Sequence, residues 1–186
     1  MSLTDLFINN KFNTDKYNLG YIENFYDDFL KTFLNKEINF LEIGIAKCGS
    51  IKMWRKYFHV NSKIFAGDIQ KHSECPNDIE YIIENCYLEK TVQLFEDNFF
   101  DIIIDDGPHT FTSFKFLITK YFSKLKNDGY LIIEDVLRKE WIDPLLMLSK
   151  EIGYKKCEVI DMTGKQKTKL LLDKWKDGLF ILKIQK

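Results

Sequence analysis

Apolar residues in this chain fall into two rhythms, short continuous runs closed by polar turns and longer stretches with a period near four. Tyr21, Phe25, Phe29 and Phe33 recur every fourth residue with Ile22, Tyr26 and Leu30 on the flank, which predicts one amphipathic helix over about residues 20–34. The polar phrase Asn13 to Asn18, NTDKYN, reads as a cap or turn before it. Ile38 to Ile43 is a compact strand that runs into GIAKCGS and then a helix, with Ile51, Trp54 and Phe58 on one face and Ser50 as its N-cap. A second strand, SKIFAG, ends at Asp68, and Glu80 to Ile83 reads as a third, followed by Glu84, Asn85 and a weak helix over about residues 88–96.

The same design then appears twice. FDIIIDDGPHT, Phe100 to Thr110, is an apolar run that ends in carboxylates, and YLIIEDV, Tyr130 to Val136, repeats it. Three consecutive isoleucines, Ile102 to Ile104, suit a strand buried on both faces, as in a central parallel strand. Between these runs, Phe114, Ile118, Tyr121, Phe122 and Leu125 predict a helix that Asn127 to Gly129 brings to an end. Asp143 as N-cap, Pro144 at the first helical position and Gly153 past the end mark a further helix. Strands at Lys156 to Met162 and Leu179 to Ile184 have no helix-length pattern between them and are expected to pair antiparallel at one edge. The intervening stretch holds seven lysines against Glu158, Asp161 and Asp173 over residues 155–176, a local charge of +4 that reads as a solvated loop or as a surface for an acidic ligand. The alternation of strands and helices requires right-handed crossovers, hence a mostly parallel α/β sheet covered on both faces.

Length and charge narrow the options. With 186 residues the chain is expected to form one domain, and a net charge of −1 excludes non-specific nucleic-acid binding as the default. Cys48, Cys75, Cys86 and Cys157 form no CxxC pair and are expected to be reduced, which with the absence of a leader-like or membrane-length segment points to the cytoplasm. Homo-oligomerisation is compatible with the chain.

Polar residues just beyond the carboxyl ends of parallel strands stand where open α/β sheets bind ligands. Gly44 and Gly49 let the backbone approach a ligand, and Asp68 can accept hydrogen bonds from both hydroxyls of a ribose. EIGIAKCG is not the GxGxxG of a dinucleotide site, and the acid Glu42 before the turn suits a cationic, amino-bearing ligand rather than NAD. S-adenosylmethionine, with its sulfonium, amino group and ribose, fits. If the fourth and fifth strands are neighbours about 4.8 Å apart, their terminal carboxylates share one small space. They would hold a cation such as magnesium there or, on the other reading, cap the helices that follow. His109 stands three residues after Asp106, and an ordinary imidazole pKa of about 6.5 suits proton removal, whereas His59 and His72 read as loop imidazoles.

Four phrases, NTDKYNLGY, LEIGIAKCGSIKMW, FDIIIDDGPHT and GYLIIEDV, together resemble the class I S-adenosylmethionine-dependent methyltransferases. Within these the chain is most similar to the metal-dependent O-methyltransferases of the macrolide-sugar type, the mycinamicin- and macrocin-like enzymes. The resemblance implies a Rossmann-like three-layer sandwich on a seven-stranded, mostly parallel sheet with an antiparallel edge strand. One domain would cover residues 1–186, with a helical segment over 1–35 and the cofactor-binding core over 36–186. Glu42, Gly44 and Asp68 would hold the cofactor with Asn85 beside the adenine, and Gly49 and Ser50 of the turn join that set. Asp105 lies between a cofactor role and a structural one. Asp106, Glu134 and Asp135 match the magnesium-binding positions and His109 the general base. The implied activity is methyl transfer to a hydroxyl of a small molecule, a sugar among the candidates. Pro108 replaces the usual serine before the histidine, Cys48 replaces a glycine of the turn, and the extra N-terminal region of the larger sugar-modifying relatives is missing. The alternatives are a non-catalytic domain that binds S-adenosylmethionine or its product, and a NAD-dependent reductase.

Overall fold

The computed structural model describes residues 1–186. Helix α1, Leu3–Asn10, opens the chain on a capping box formed by Ser2 and Asp5, an element absent from the sequence-based expectation. The aromatic segment that follows is one unbroken helical run, as expected, but its hydrogen bonding changes along it: a π turn over Ile22–Tyr26, α2 at Asp27–Leu30 and a 3₁₀ turn at Lys31–Phe33. Ile22, Tyr26 and Leu30, expected on the flank, are fully buried, as is Tyr21 of the stripe; Phe25 is buried, and Phe29 and Phe33 lie half-buried with their rings against Tyr130.

Strands β1 (Asn39–Ile43), β2 (Lys63–Asp68), β3 (Glu80–Ile83), β4 (Phe100–Asp105), β5 (Leu125–Val136), β6 (Lys156–Asp161) and β7 (Phe180–Gln185) form one sheet in the order β3-β2-β1-β4-β5-β7-β6. The first five run parallel, and β7 runs antiparallel between β5 and β6, so the expected antiparallel pair is present at the edge. Strand order reverses between β1 and β4, the switch point at which such sheets open a crevice. Ile102 and Ile104 pack into the core on the α1 and α3 (Gly49–Tyr57) side, and Ile103 into the core on the α5 (Phe111–Lys120) and α6 (Ile142–Ile152) side. The apolar run is thus a strand buried on both faces.

Several local expectations shift. Cys48, with φ 60°, is the N-cap residue of α3, and Ser50 lies inside its first turn, where its hydroxyl donates to Glu42. Asn127 to Gly129 does not end a helix: α5 stops at Lys120, and these residues lie within β5, whose twelve residues begin at Leu125. Asp143 and Pro144 occupy the first turn of α6 rather than its cap, while Gly153 ends it in the left-handed region with φ 104°. The weak helix shrinks to α4, Glu89–Val92, and the lysine-rich stretch contains the short helix α7, Lys169–Lys174. Cys48 and Cys75 are joined as a disulfide with Cα atoms 5.2 Å apart, which corrects the expectation of four free thiols; Cys86 and Cys157 are free. The two bridged residues stand on the loops after β1 and β2, which the fold brings together from distant parts of the sequence.

Candidate active site

The turns after β1 and β4 lie against each other at the switch point. The Asp106 amide donates to the Ile43 carbonyl at 2.8 Å, and a Cβ at Gly44, where φ is +84°, would stand 2.1 Å from the Asp106 carbonyl oxygen. Glycine is required there by backbone sign and by space. Two cavities open on either side of this contact, and Gly44, Ala46 and Asp106 line both.

The first cavity, about 480 Å³, lies over the ends of β1, β2 and β3. Asp68 and Asn85 line it, joined by Glu84, Tyr87 and Gly107. Asp68 accepts from the amide of Ile45 at 3.0 Å and from that of Gln70 at 3.2 Å, so its carboxylate is held by the turns that frame the cavity. Glu42 and Asp105 do not line it. Both are fully buried, and burial pushes each carboxyl up to about 7. Glu42 is bound by Ser50 and by the indole of Trp54 at 3.1 Å, and Asp105 accepts a hydrogen bond from the hydroxyl of Tyr87.

The second cavity, about 300 Å³, has a mostly polar wall: Asn13, Thr14 and Asp15 on one side, Asp106, His109 and Asp135 on the other, with Gly49 and Ser50 at the turn. A Cβ at Gly49 would meet the Asn13 carbonyl at 1.8 Å, so the N-terminal segment lies directly on the glycine turn. Beneath this cavity the acids of β4 and β5 are organised by side chains from that same segment. Lys16, completely buried, places its ammonium 2.7 Å from Asp106 Oδ2, in a close ion pair with Glu134 Oε2, and 3.4 Å from Glu42 Oε1. Tyr26 donates to Glu134 Oε1 and Tyr21 to Asp135 Oδ1. An α-helix would turn residues five apart by about 140° from each other; the π turn brings both hydroxyls to neighbouring acids.

Burial works against the charge on Lys16, but Asp106, Glu134 and Glu42 outweigh it and hold its pKa well above the ordinary lysine range. Burial, together with the charge of Asp106, raises the pKa of both Glu134 and Asp135. Each outer acid has one oxygen tied inward. The other oxygens, Asp106 Oδ1 and Asp135 Oδ2, face His109 Nε2 at 3.8 and 3.7 Å. One donor atom from each of Asp106, His109 and Asp135 lies within 4.8 Å of the others, a corner in which two carboxylates suit a divalent cation with the imidazole beside them. His109 and Asp135 both hold positive φ, 51° and 53°, a backbone strain typical of functional positions. His109 Nδ1 is buried without a partner. Pro108 lines the first cavity and His109 the second, so the proline does not turn the imidazole away from the acids.

Of the residues expected at the site, Gly44, Asp68 and Asn85 line the first cavity, while Gly49, Ser50, Asp106, His109 and Asp135 line the second. Glu42, Asp105 and Glu134 stand behind these walls. Sequence reasoning missed Lys16, Tyr21, Tyr26 and Tyr87. The available signal for Lys16 was a lysine inside a phrase that the resemblance singled out; the tyrosines were indistinguishable from core aromatics.

No protein-family profile matches the chain. Among curated proteins, it is 24% identical over 148 residues to L-olivosyl-oleandolide 3-O-methyltransferase of Streptomyces antibioticus, covering 70% of this chain and 36% of that protein. It is 28% identical over 129 residues to demethylmacrocin O-methyltransferase of Streptomyces fradiae, covering 62% and 32%. The chain therefore spans about a third of the length of these relatives. The solved structure of the MycE methyltransferase with Mg, S-adenosylhomocysteine and mycinamycin VI superposes with a TM-score of 0.71 at 18% identity, over 99% of this chain and 54% of that one. This likeness establishes the fold as that of the class I methyltransferases.

Proposed function

We propose that this chain, a class I methyltransferase fold with a divided site, transfers a methyl group from S-adenosylmethionine to a hydroxyl of a small molecule in a magnesium-dependent reaction. The observation that carries the reading is the pair of cavities that meet at Gly44, Ala46 and Asp106. One has the acid and amide suited to a nucleoside, and the other has the cation corner. Names of the relatives support the reading, since they are O-methyltransferases and MycE was solved with Mg and S-adenosylhomocysteine. They also favour a sugar as acceptor.

The cofactor would lie in the first cavity, where Asp68 accepts from ribose hydroxyls, Asn85 borders the adenine and Gly44 admits the chain near the sulfur; Gly49, Ser50, Glu42 and Asp105 shape the turns behind it. Asp106 and Asp135 would hold the ion through their outward oxygens, while Glu134, its two oxygens taken by Lys16 and Tyr26, would stand behind them as an indirect member of the acid set. Bound there, S-adenosylmethionine supplies an electrophilic methyl and magnesium the acidification of a hydroxyl. His109 Nε2 takes the hydroxyl proton. The walls of the second cavity would hold the acceptor hydroxyl beside Gly44, Ala46 and Asp106, where the two cavities meet and the methyl group that the cofactor supplies would be within reach.

Residues 1–186 would act as one such domain, with the helical segment over 1–35 closing the acid side and the core over 36–186 binding cofactor. A net charge of −1 favours a small acceptor over a nucleic acid. No helix is long and apolar enough to cross a membrane. The Cys48–Cys75 bridge removes the thiol argument for a cytoplasmic setting, since disulfides persist chiefly in oxidising compartments.

Turnover of a hydroxylated sugar, assayed by S-adenosylhomocysteine release, should vanish in EDTA and return with magnesium. His109→Ala should lower kcat by about 10²- to 10⁴-fold while Mn²⁺ affinity stays within about threefold. Chelator-resistant turnover removes the metal from the reading. A matching loss of Mn²⁺ affinity in the variant makes His109 a ligand and not the base.

A further inference from the structure

Lys16 is the one fully buried cation of the chain, and it sits where strands β1, β4 and β5 end. Its ammonium is surrounded by Asp106 Oδ2, Glu134 Oε2 and Glu42 Oε1, three carboxylate oxygens from three neighbouring strands. Three converging carboxylates are a donor set that a divalent cation would otherwise take. Tyr26, from the π turn, satisfies the remaining oxygen of Glu134, and Tyr21 does the same for the inner oxygen of Asp135. The unspent oxygens are those of the outer corner beside His109.

We propose that Lys16 is a positioning residue that permanently fills the inner half of a two-cation centre, so that the catalytic ion is confined to the outer corner at Asp106 Oδ1 and Asp135 Oδ2. The centre then contains one covalently tethered cation and one exchangeable cation. A tethered ammonium neutralises Glu134 and Glu42 without being able to leave, and it repels a dication that moves inward along Asp106. The exchangeable ion is thereby kept at the wall of the cavity that receives the acceptor. Lysine suits the inner position because its charge is compact and its stem apolar, which lets the charge reach the strand ends through a packed interior. The inference rests on the metal-dependent reading of this site, but its test needs neither cofactor nor acceptor.

Calorimetric titration with Mn²⁺ of the whole chain and of Lys16→Met separates this role from a merely structural one by the sign of the change. Without the ammonium the inner carboxylates face the ion directly, so the folded variant should bind Mn²⁺ at least tenfold more tightly; simple damage to the site would weaken binding. Lys16→Met/Glu134→Gln removes one carboxylate charge together with the ammonium and should return the affinity to within about threefold of the parent. Unchanged or weaker binding in folded Lys16→Met overturns the proposal. Should neither variant fold, the parent protein supplies the answer through the ¹H–¹⁵N signal of the Lys16 ammonium. Protected from solvent, it should remain visible when Mg²⁺ is added, and its loss or replacement overturns the proposal. A parent that binds no Mn²⁺ at all overturns the metal-dependent reading as well, which distinguishes the two failures.

Discussion

The two cavities lie at one sheet edge and are made in different ways. On the β1–β2–β3 side, each wall residue follows its own strand by a few positions: Gly44 after β1, Asp68 at the end of β2, Asn85 after β3. Its polar contacts are short in sequence or link adjacent turns, as where Asp68 holds the Ile45 amide. On the β4–β5 side, the acids are held by groups from the far end of the chain. Lys16 reaches Asp106 and Glu134 across 90 and 118 positions, and Tyr21 and Tyr26 reach theirs across 114 and 108. The first cavity is a property of strand–turn–helix units. The second exists only once the N-terminal segment has docked, and buried acids whose pKa values are raised by desolvation show what that docking must offset.

Asp106 borders both halves, so its loss should be the largest single effect. Asp106→Asn should cut turnover by about 10³-fold or more, with Mn²⁺ affinity falling and S-adenosylhomocysteine affinity changing by less than about threefold. A comparable loss of both affinities would mean that the halves do not act separately. On the cofactor side, Asp68→Ala should weaken S-adenosylhomocysteine about 10- to 100-fold, the range for charge-assisted hydrogen bonds, and leave Mn²⁺ binding alone. Calorimetry reads both, and a Mn²⁺ effect would break the division.

The third effect is on stability and lies between the halves. Asp105 is pushed up to about 7 by burial, so it favours the folded state in its protonated form. Its folded pKa is raised above an unfolded value near 4, so this contribution is complete below about pH 4 and is lost as pH rises through about 7, amounting to at most about 4 kcal/mol. Thermal melts across pH 4 to 8 should fall more steeply for the parent than for Asp105→Asn, which removes the titration. Parallel slopes would show that Tyr87 and the neighbouring amide already hold the carboxylate charged throughout.

Disulfide and active-site acids teach related lessons about reading sequence. Cys48 and Cys75 show no local motif, and their pairing depends on the loops after β1 and β2 lying side by side. Tyr21 and Tyr26 have the spacing of ordinary core aromatics if the segment is an α-helix. With Tyr21 capping a π turn that ends at Tyr26, both become hydrogen-bond donors to two acids.

What the amino-acid order determined by itself is the set of elements and the half of the site they carry. Two-sided apolar runs, a glycine at a strand–helix turn, and polar residues just past strand ends are local consequences of burial and backbone sterics, and each can be read within a dozen residues. The mostly parallel sheet, its antiparallel pair at one edge and the placement of Asp68, Asn85, Asp106 and His109 just past strand ends follow from those elements, whereas the strand order and the place of β7 between β5 and β6 do not. Tertiary structure alone decided how the acids are neutralised. Whether Glu134 faces solvent, a metal or a lysine depends on which distant side chain enters the low-dielectric space at the strand ends. The charge balance of that space is set by the whole fold rather than by any stretch of chain.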